Sequence, residues 1–268
     1  MLDTSLHQTT GLHELFIQPA QHVIVMASNG DWNGELPLLW NLCSAWSSMG
    51  YTLAVLDATT TESDNNPGLQ QLMDNMQIPA GDAQAHVNWA IFPAALGLAQ
   101  LSDYLSPSDA TTPLKALGHL FDNYEIIVIY ASVQNLAACL PDTGVEPLLP
   151  LSINTVSIVP TYQALKHLMI KGHLHATTVT VVDTSNPMHL LSAQHVNQRL
   201  QDCAFNFLGQ HISTLTAPSQ PLDDLVADDI KTLALRLLER AVSVRADAFT
   251  LTRSAANSLE PLSTARKH

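Results

Sequence analysis

Short aliphatic runs recur along the chain, each bounded by polar or turn-forming residues. Residues 23–27, 52–57, 125–130, 154–159, 178–183 and 204–208 read as strands. Their apolar positions are nearly continuous rather than alternating, the pattern of a sheet covered on both faces. Between them, apolar residues at helical spacing predict helices over 35–49, 113–122, 161–173, 188–202 and 223–244. Segments 59–68 and 105–113, rich in Thr, Ser, Asn, Asp and Pro, read as loops, and so does 140–151, Leu-Pro-Asp-Thr-Gly-Val-Glu-Pro-Leu-Leu-Pro-Leu. Strand and helix alternate, which predicts an α/β fold: a doubly wound, mostly parallel sheet with helices on both faces and right-handed crossovers. One domain is expected over 21–245, after a polar leader at 1–20 and before a flexible polar tail at 246–268. The leader carries Leu12, Leu15 and Phe16 at spacings that suit one face of a short helix.

The last predicted helix has an acidic first turn, Asp223-Asp224, and a basic end near Arg245. Leu225, Ile230, Leu233, Leu237, Leu238 and Ala241 form its apolar stripe. Two uses are open: packing on the sheet, or peripheral contact with a membrane surface. Lys231, Arg236 and Arg240 favour the second, and Asp228, Asp229 and Glu239 oppose it.

Composition narrows the function classes. The chain has 268 residues, 46% of them hydrophobic and 13% charged, which fits a folded globular domain. A net charge of −13 works against nucleic-acid binding, which needs clustered Lys and Arg. Cys43, Cys139 and Cys203 stand far apart in apolar sequence, the distribution of buried free thiols in a reducing compartment. Neither a signal peptide nor a membrane-spanning run is evident, so a cytoplasmic location is expected. Twelve histidines, His167, His173, His175, His189 and His195 among them, lack Cys or acidic partners at zinc-like spacing. No Gly-x-Ser-x-Gly elbow anchors serine chemistry.

The junction between the first strand and first helix carries the most chemical information. It reads Ser28-Asn29-Gly30-Asp31-Trp32-Asn33-Gly34-Glu35-Leu36. A phosphate-binding loop at this place ends in Gly-Lys-Ser/Thr. Here Glu35 stands at the lysine position and Leu36 at the hydroxyl that would meet magnesium. Two like charges ~4 Å apart repel by roughly 4 kcal/mol at an effective dielectric of ~20, so Glu35 and Asp31 both disfavour a triphosphate. Trp32 places a ring where close phosphate approach wants no side chain. Trp32 is expected exposed or plugging the loop, and Trp40 and Trp46 in the core. An ordinary strand–helix turn that never bound phosphate accounts for the spacing equally well.

Order and spacing across residues 7–245 resemble the MinD/ParA ATPases, and most closely their flagellar-number branch, FlhG/FleN. His-Gln-Thr-Thr-Gly-Leu-His at 7–13 resembles the branch's N-terminal activator segment, with Gln8 and Leu12 matching and His7 and His13 replacing its charged ends. The run from Val23 to Ser28, then Asn41-Leu42, matches the first strand, loop and helix in length. On that match Gly30 replaces the signature lysine and Glu35 the second lysine. Asp57 is kept in Asp57-Ala58-Thr59, where Thr59 replaces a catalytic aspartate. Tyr130 ends the strand that should close in a Walker B aspartate. Pro160-Thr161 with Ala164-Leu165-Lys166, Asp183 near a base-contacting asparagine, and Phe207-Leu208-Gly209 in a late strand complete the likeness.

The resemblance implies a P-loop NTPase-like fold and a regulator that acts by protein–protein binding. With the catalytic positions replaced, ATP and magnesium are not expected as cofactors, and no metal site is expected. The implied partners are flagellar proteins: an FlhF-like GTPase, a C-ring component or a transcriptional activator. A residual ATPase, or a TadZ-like polar scaffold for another surface machine, are the alternatives.

Overall fold

The run Val-Ile-Val-Met-Ala at 23–27 is apolar on both sides, and it lies at the centre of the sheet. A computed structural model describes residues 21–74, 89–104, 109–154, 157–220 and 223–244, the first five of the last group by backbone alone. Strand β1 (Gln21–Ser28) pairs in parallel with β4 (Ile126–Ser132) from His22↔Ile126 to Ser28↔Ser132. Beyond β4 come β2 (Leu53–Asp57) and the edge strand β3 (Trp89–Pro93). The other flank carries β5 (Leu148–Ser152), β6 (Thr177–Val182) and β7 (Thr214–Pro218), giving the order β3-β2-β4-β1-β5-β6-β7. These seven strands are parallel to their neighbours. The eighth, β8 (Val242–Val244), runs antiparallel to β1 over Gln21–Val23, while β5 meets β1 only at Met26↔Leu148. The second edge of β1 is thus shared between two short pairings.

Side chains alternate across β1, as a strand requires. Val23, Val25 and Ala27 enter a core with α2 (Leu69–Met73), α3 (Ala95–Leu101), α4 (Thr112–Leu120), α5 (Val133–Cys139), α6 (Ile158–His167) and α7 (Pro187–Leu208). Ile24 and Met26 face the opposite core, built with α1 (Trp32–Ser48) and α8 (Asp223–Arg240). Both faces are covered, and the expected α/β architecture holds. Ile230, Leu233, Ala234, Leu237 and Leu238 bury the α8 stripe against the sheet and α1, where Trp46 Nε1 donates to the carbonyl of Ala234 at 3.1 Å. No helix of the described residues is long and apolar enough to cross a membrane.

Several elements depart from expectation. The strand expected at 154–159 is β5 at 148–152, inside a segment that reads as a loop because of its prolines. The Pro150 carbonyl points toward Asn29 at 3.4 Å, so its N–H-less nitrogen lies on the under-paired β1 side, where proline is tolerated. Residues 204–208 finish α7 instead of forming a strand: Ala193, Val196, Leu200 and Ala204 continue one buried helical face to the left-handed cap at Gly209, φ +66°. The strands β3 and β7 and the helices α2, α3 and α5 are additional. The helix expected over 223–244 stops at Arg240, and its last residues supply β8. Residues 8 and 12, with the rest of 1–20, and the tail 246–268 lie outside the described residues.

Cys43 and Cys139 are buried, and burial pushes both thiols up to about 12. A thiol reagent such as Ellman's should therefore titrate Cys203 rapidly in the native protein at neutral pH. Cys43 and Cys139 should react only on the timescale of unfolding, and all three at once in denaturant.

Candidate functional site

The first strand ends where the strand order divides, with β4 on one side and β5 on the other. In open α/β sheets such a switch point, at the carboxyl ends of the strands, is the natural crevice for a ligand. The turn from Ser28 to Asp31 lies there. Gly30 takes φ +89°, a left-handed conformation that glycine enters without strain and that turns successive backbone N–H groups inward. Helix α1 starts at once, and its approach to β5 is close: a Cβ at Gly34 would stand 2.8 Å from the Leu151 carbonyl carbon. Asp31 opens the helix without capping it by a side-chain bond; its Oδ2 accepts from the Ser152 N–H of β5 at 2.7 Å. Asn29 ties the same loop to α6, donating to Thr161 Oγ1 at 3.2 Å, and its Oδ1 accepts from the Asp31 N–H at 3.0 Å.

Glu35 fills the turn. Its side chain folds back from the first turn of α1, and the residue has no solvent exposure. Oε1 accepts from three backbone N–H groups: Asn29 at 2.7 Å, Gly30 at 2.9 Å and Asp31 at 3.0 Å. Oε2 accepts from Ser28 Oγ at 2.9 Å and from the Tyr130 hydroxyl at 2.5 Å. A converging nest of N–H groups at a helix start is an anion site. Here the anion is the chain's own carboxylate. No Lys or Arg pairs with it among the described residues.

Tyr130, at the end of β4, completes this arrangement. Burial and the hydrogen bond to Glu35 both push its phenol well above the ordinary range. Asp57, at the end of β2, is engaged locally: Oδ1 accepts from the N–H of Thr59 at 2.9 Å and its hydroxyl at 2.6 Å, and Oδ2 from the Thr60 hydroxyl at 2.7 Å. Thr59 thus faces Asp57, not the loop. Trp32 and Leu36 point outward, 64% and 45% exposed, so Trp32 does not plug the turn. Trp46 is in the core as expected; Trp40 is not, being 54% exposed. Asp183 closes a turn with Ser185, which holds its carboxyl below the usual range. Among the described residues no cluster of His, Cys, Asp or Glu is arranged to hold a metal ion.

Gly30, Asp31, Glu35 and Tyr130 are thus brought together, while Asp57 and Thr59 form a separate pair beside them. Ser28, Asn29, Ser152 and Thr161 carry the supporting bonds; the sequence named Ser28 and Asn29 only as part of the junction and Thr161 only as part of the family likeness, gave none of them this role, and did not name Ser152. Their one signal is position: polar residues directly at or after the ends of apolar strands, or in the turn of the next helix.

No family model matches the chain, and no curated protein matches it in sequence. Solved structures do resemble it. Cobyrinic acid a,c-diamide synthase from Mycobacterium smegmatis, with bound ADP and magnesium, is similar at 14% identity and TM-score 0.54, over 82% of this chain and 94% of that one. The MinD cell division protein of Aquifex aeolicus gives 12% identity and TM-score 0.52 over 84% and 99%. An ATP complex of McdA from Cyanothece gives 18% and 0.52 over 83% and 96%. At such identities the likeness concerns the fold, which is that of the MinD/ParA-type P-loop ATPases.

Replacing Glu35 by Ala removes the shared acceptor of three part-buried N–H groups, the Ser28 hydroxyl and the buried Tyr130 hydroxyl, the Asp31 N–H keeping Asn29 Oδ1, and stability should fall by about 2–4 kcal/mol. Gln keeps an acceptor for the three N–H groups and should cost only about 1–2 kcal/mol. Added inorganic phosphate should raise the melting temperature of Glu35→Ala more than that of wild type. Because the folded-state phenol of Tyr130 lies above its ordinary value of 10.0, its contribution is complete below that pH and is lost as pH rises through the folded value. Tyr130→Phe should be less stable than wild type at neutral pH by about 1.5–3 kcal/mol, the two converging in alkali.

Proposed function

We propose that this chain is a regulatory binding module on a nucleotide-switch fold, one that works without nucleotide. The observation that carries the reading is the Glu35 carboxylate, bonded to the N–H groups of Asn29, Gly30 and Asp31. A phosphate approaching the loop must displace a fully bonded internal anion, and it meets no lysine in return. Leu36 offers magnesium no oxygen, and the Asp57 carboxylate is turned to Thr59 and Thr60. The loop therefore holds by itself the shape that a nucleotide would otherwise impose. A protein so arranged has one conformation where a switch has two.

Within this reading, the resemblance of residues 7–245 to the flagellar-number regulators directs the partner assignment. The module serves flagellar number, placement or assembly by binding an FlhF-like GTPase, a C-ring component or a transcriptional activator, in the cytoplasm or at the inner membrane face. Gln8 and Leu12 are the partner-facing residues of the leader, and Gln8→Ala should lower GTP hydrolysis by the cognate GTPase without changing the melting temperature. Equal stimulation by wild type and by a chain lacking 1–18 removes that role.

Saturation of a native-state site at 100 times its dissociation constant adds roughly 2.7 kcal/mol, which a melting curve resolves easily. Millimolar ATP with magnesium should produce no such stabilisation. A magnesium-dependent rise in melting temperature contradicts the proposal. Glu35→Lys should remain without ATPase activity, since Gly30, Leu36, Thr59 and Tyr130 stay as they are.

A further inference from the structure

Strand β1 is incompletely paired on the flank of β5. β8 covers Gln21–Val23 and β5 meets Met26, so Ile24 and Val25 have no strand partner on that side. A cavity of about 350 Å³ occupies the gap, between the sheet and α8. It lies at the amino ends of the strands, where Leu148 opens β5 and Thr177 opens β6, and so at the far end of β1 from Glu35. Ile24, Leu148, Leu215, Leu233, Leu237 and Ala241 line it, and no aromatic ring of the described residues does. A small apolar cavity with a few converging polar groups is the usual form of a small-molecule site. An aliphatic wall without a flat face suits a short branched chain better than a ring system.

Charge selects the other half of the ligand. Glu146, Arg236, Glu239 and Arg240 also border the cavity. The three of α8 are exposed, so this rim is where the cavity meets solvent. Two carboxylates and two guanidiniums share it, and they do not satisfy one another. Arg240 approaches Glu146 only to 3.7 Å, with 63% of its side chain exposed, which makes a weak pair. Among the described residues Arg236 and Glu239 have no ion-pair partner. Arg236 and Arg240 stand four residues apart on one helix face, placed to hold one carboxylate between them. Glu146 accepts from the Thr177 hydroxyl, which fixes its carboxylate at the mouth. A ligand bearing only a carboxylate meets the two glutamates unpaired, and one bearing only an amine meets the two arginines. A head group of both signs complements all four.

We propose that this cavity is a binding site for a small aliphatic α-amino acid of leucine's size. Its side chain lies against Ile24, Leu148 and Leu237, its carboxylate on Arg236 and Arg240, and its ammonium on Glu146 and Glu239. The site stands apart from the Glu35 turn, so binding there does not depend on whether that loop takes nucleotide. Isothermal titration of the full-length protein with L-leucine should show saturable binding, with a matching rise in melting temperature. Isocaproate, which lacks the ammonium, and isoamylamine, which lacks the carboxylate, should each bind more weakly by about tenfold or more. Glu146→Gln keeps an acceptor for Thr177, and Arg236 is exposed, so Glu146→Gln and Arg236→Gln should keep the circular dichroism of wild type. Each should lose affinity for L-leucine by about tenfold or more. Ala241→Leu fills the cavity and should abolish binding with the circular dichroism kept. Absence of saturable L-leucine binding overturns the proposal. So does isocaproate or isoamylamine binding as tightly as L-leucine, or an affinity that survives all three substitutions.

Discussion

A carboxylate without solvent must find its solvation inside the protein, and Glu35 finds it in backbone dipoles. Removing such a charge from water costs several kcal/mol even after relaxation. Three N–H groups on one oxygen, and two hydroxyls on the other, replace the lost water one for one. Without the carboxylate the Asn29 and Gly30 N–H groups, in the turn before α1, would lose their acceptor, and the Asp31 N–H would keep only Asn29 Oδ1. Each half of the arrangement therefore requires the other. The start of α1 adds the positive end of its dipole to the same point.

The surrounding structure follows from keeping that turn in shape. Gly30 supplies the left-handed step, and Gly34 lets the first turn of α1 lie directly on the Leu151–Ser152 backbone. Asp31 and Asn29 tie the turn to β5, to α6 and to each other, fixing the directions in which the N–H groups point. From the other flank β4 delivers Tyr130, whose hydroxyl reaches Glu35 from 95 residues away in sequence. The switch point between β4 and β5 is thus bridged by one charge and its donors. In a nucleotide-binding loop these donors stay available for a ligand. Here they are engaged before any ligand arrives, and loop rigidity becomes a property of the chain alone.

Much of this fold was legible in the chain, for physical reasons that differ by element. The Val23–Ala27 run, the Gly-bearing turn and the helix after it are local patterns, and they lie where periodicity places them. The displaced elements were decided by partners the local sequence does not contain. Pro150 excluded β5 from a strand reading, yet its nitrogen faces the sparsely paired side of that strand. Phe205 and Phe207 read as strand residues, but the buried face running to Ala204 keeps them in α7, their rings partly in solvent. At the site, a negative charge at Glu35, just after a glycine-bearing turn, was visible at once. That Glu35 turns inward was not, because repulsion of a phosphate and imitation of one begin from the same negative charge. Only the distance to the N–H groups separates them, and the role of Tyr130 as donor likewise needed β4 placed beside β1.

The most direct test reads those bonds in solution. Scalar couplings across hydrogen bonds, measured between the backbone nitrogens of Asn29, Gly30 and Asp31 and the side-chain carboxylate carbon of Glu35, report which acceptor each N–H uses. The account predicts measurable coupling at these three nitrogens, with amide shifts that stay in place when ATP and magnesium are added in excess. Absence of the couplings, or amide signals that move on titration with ATP and magnesium, would contradict it and return the loop to the class of nucleotide sites.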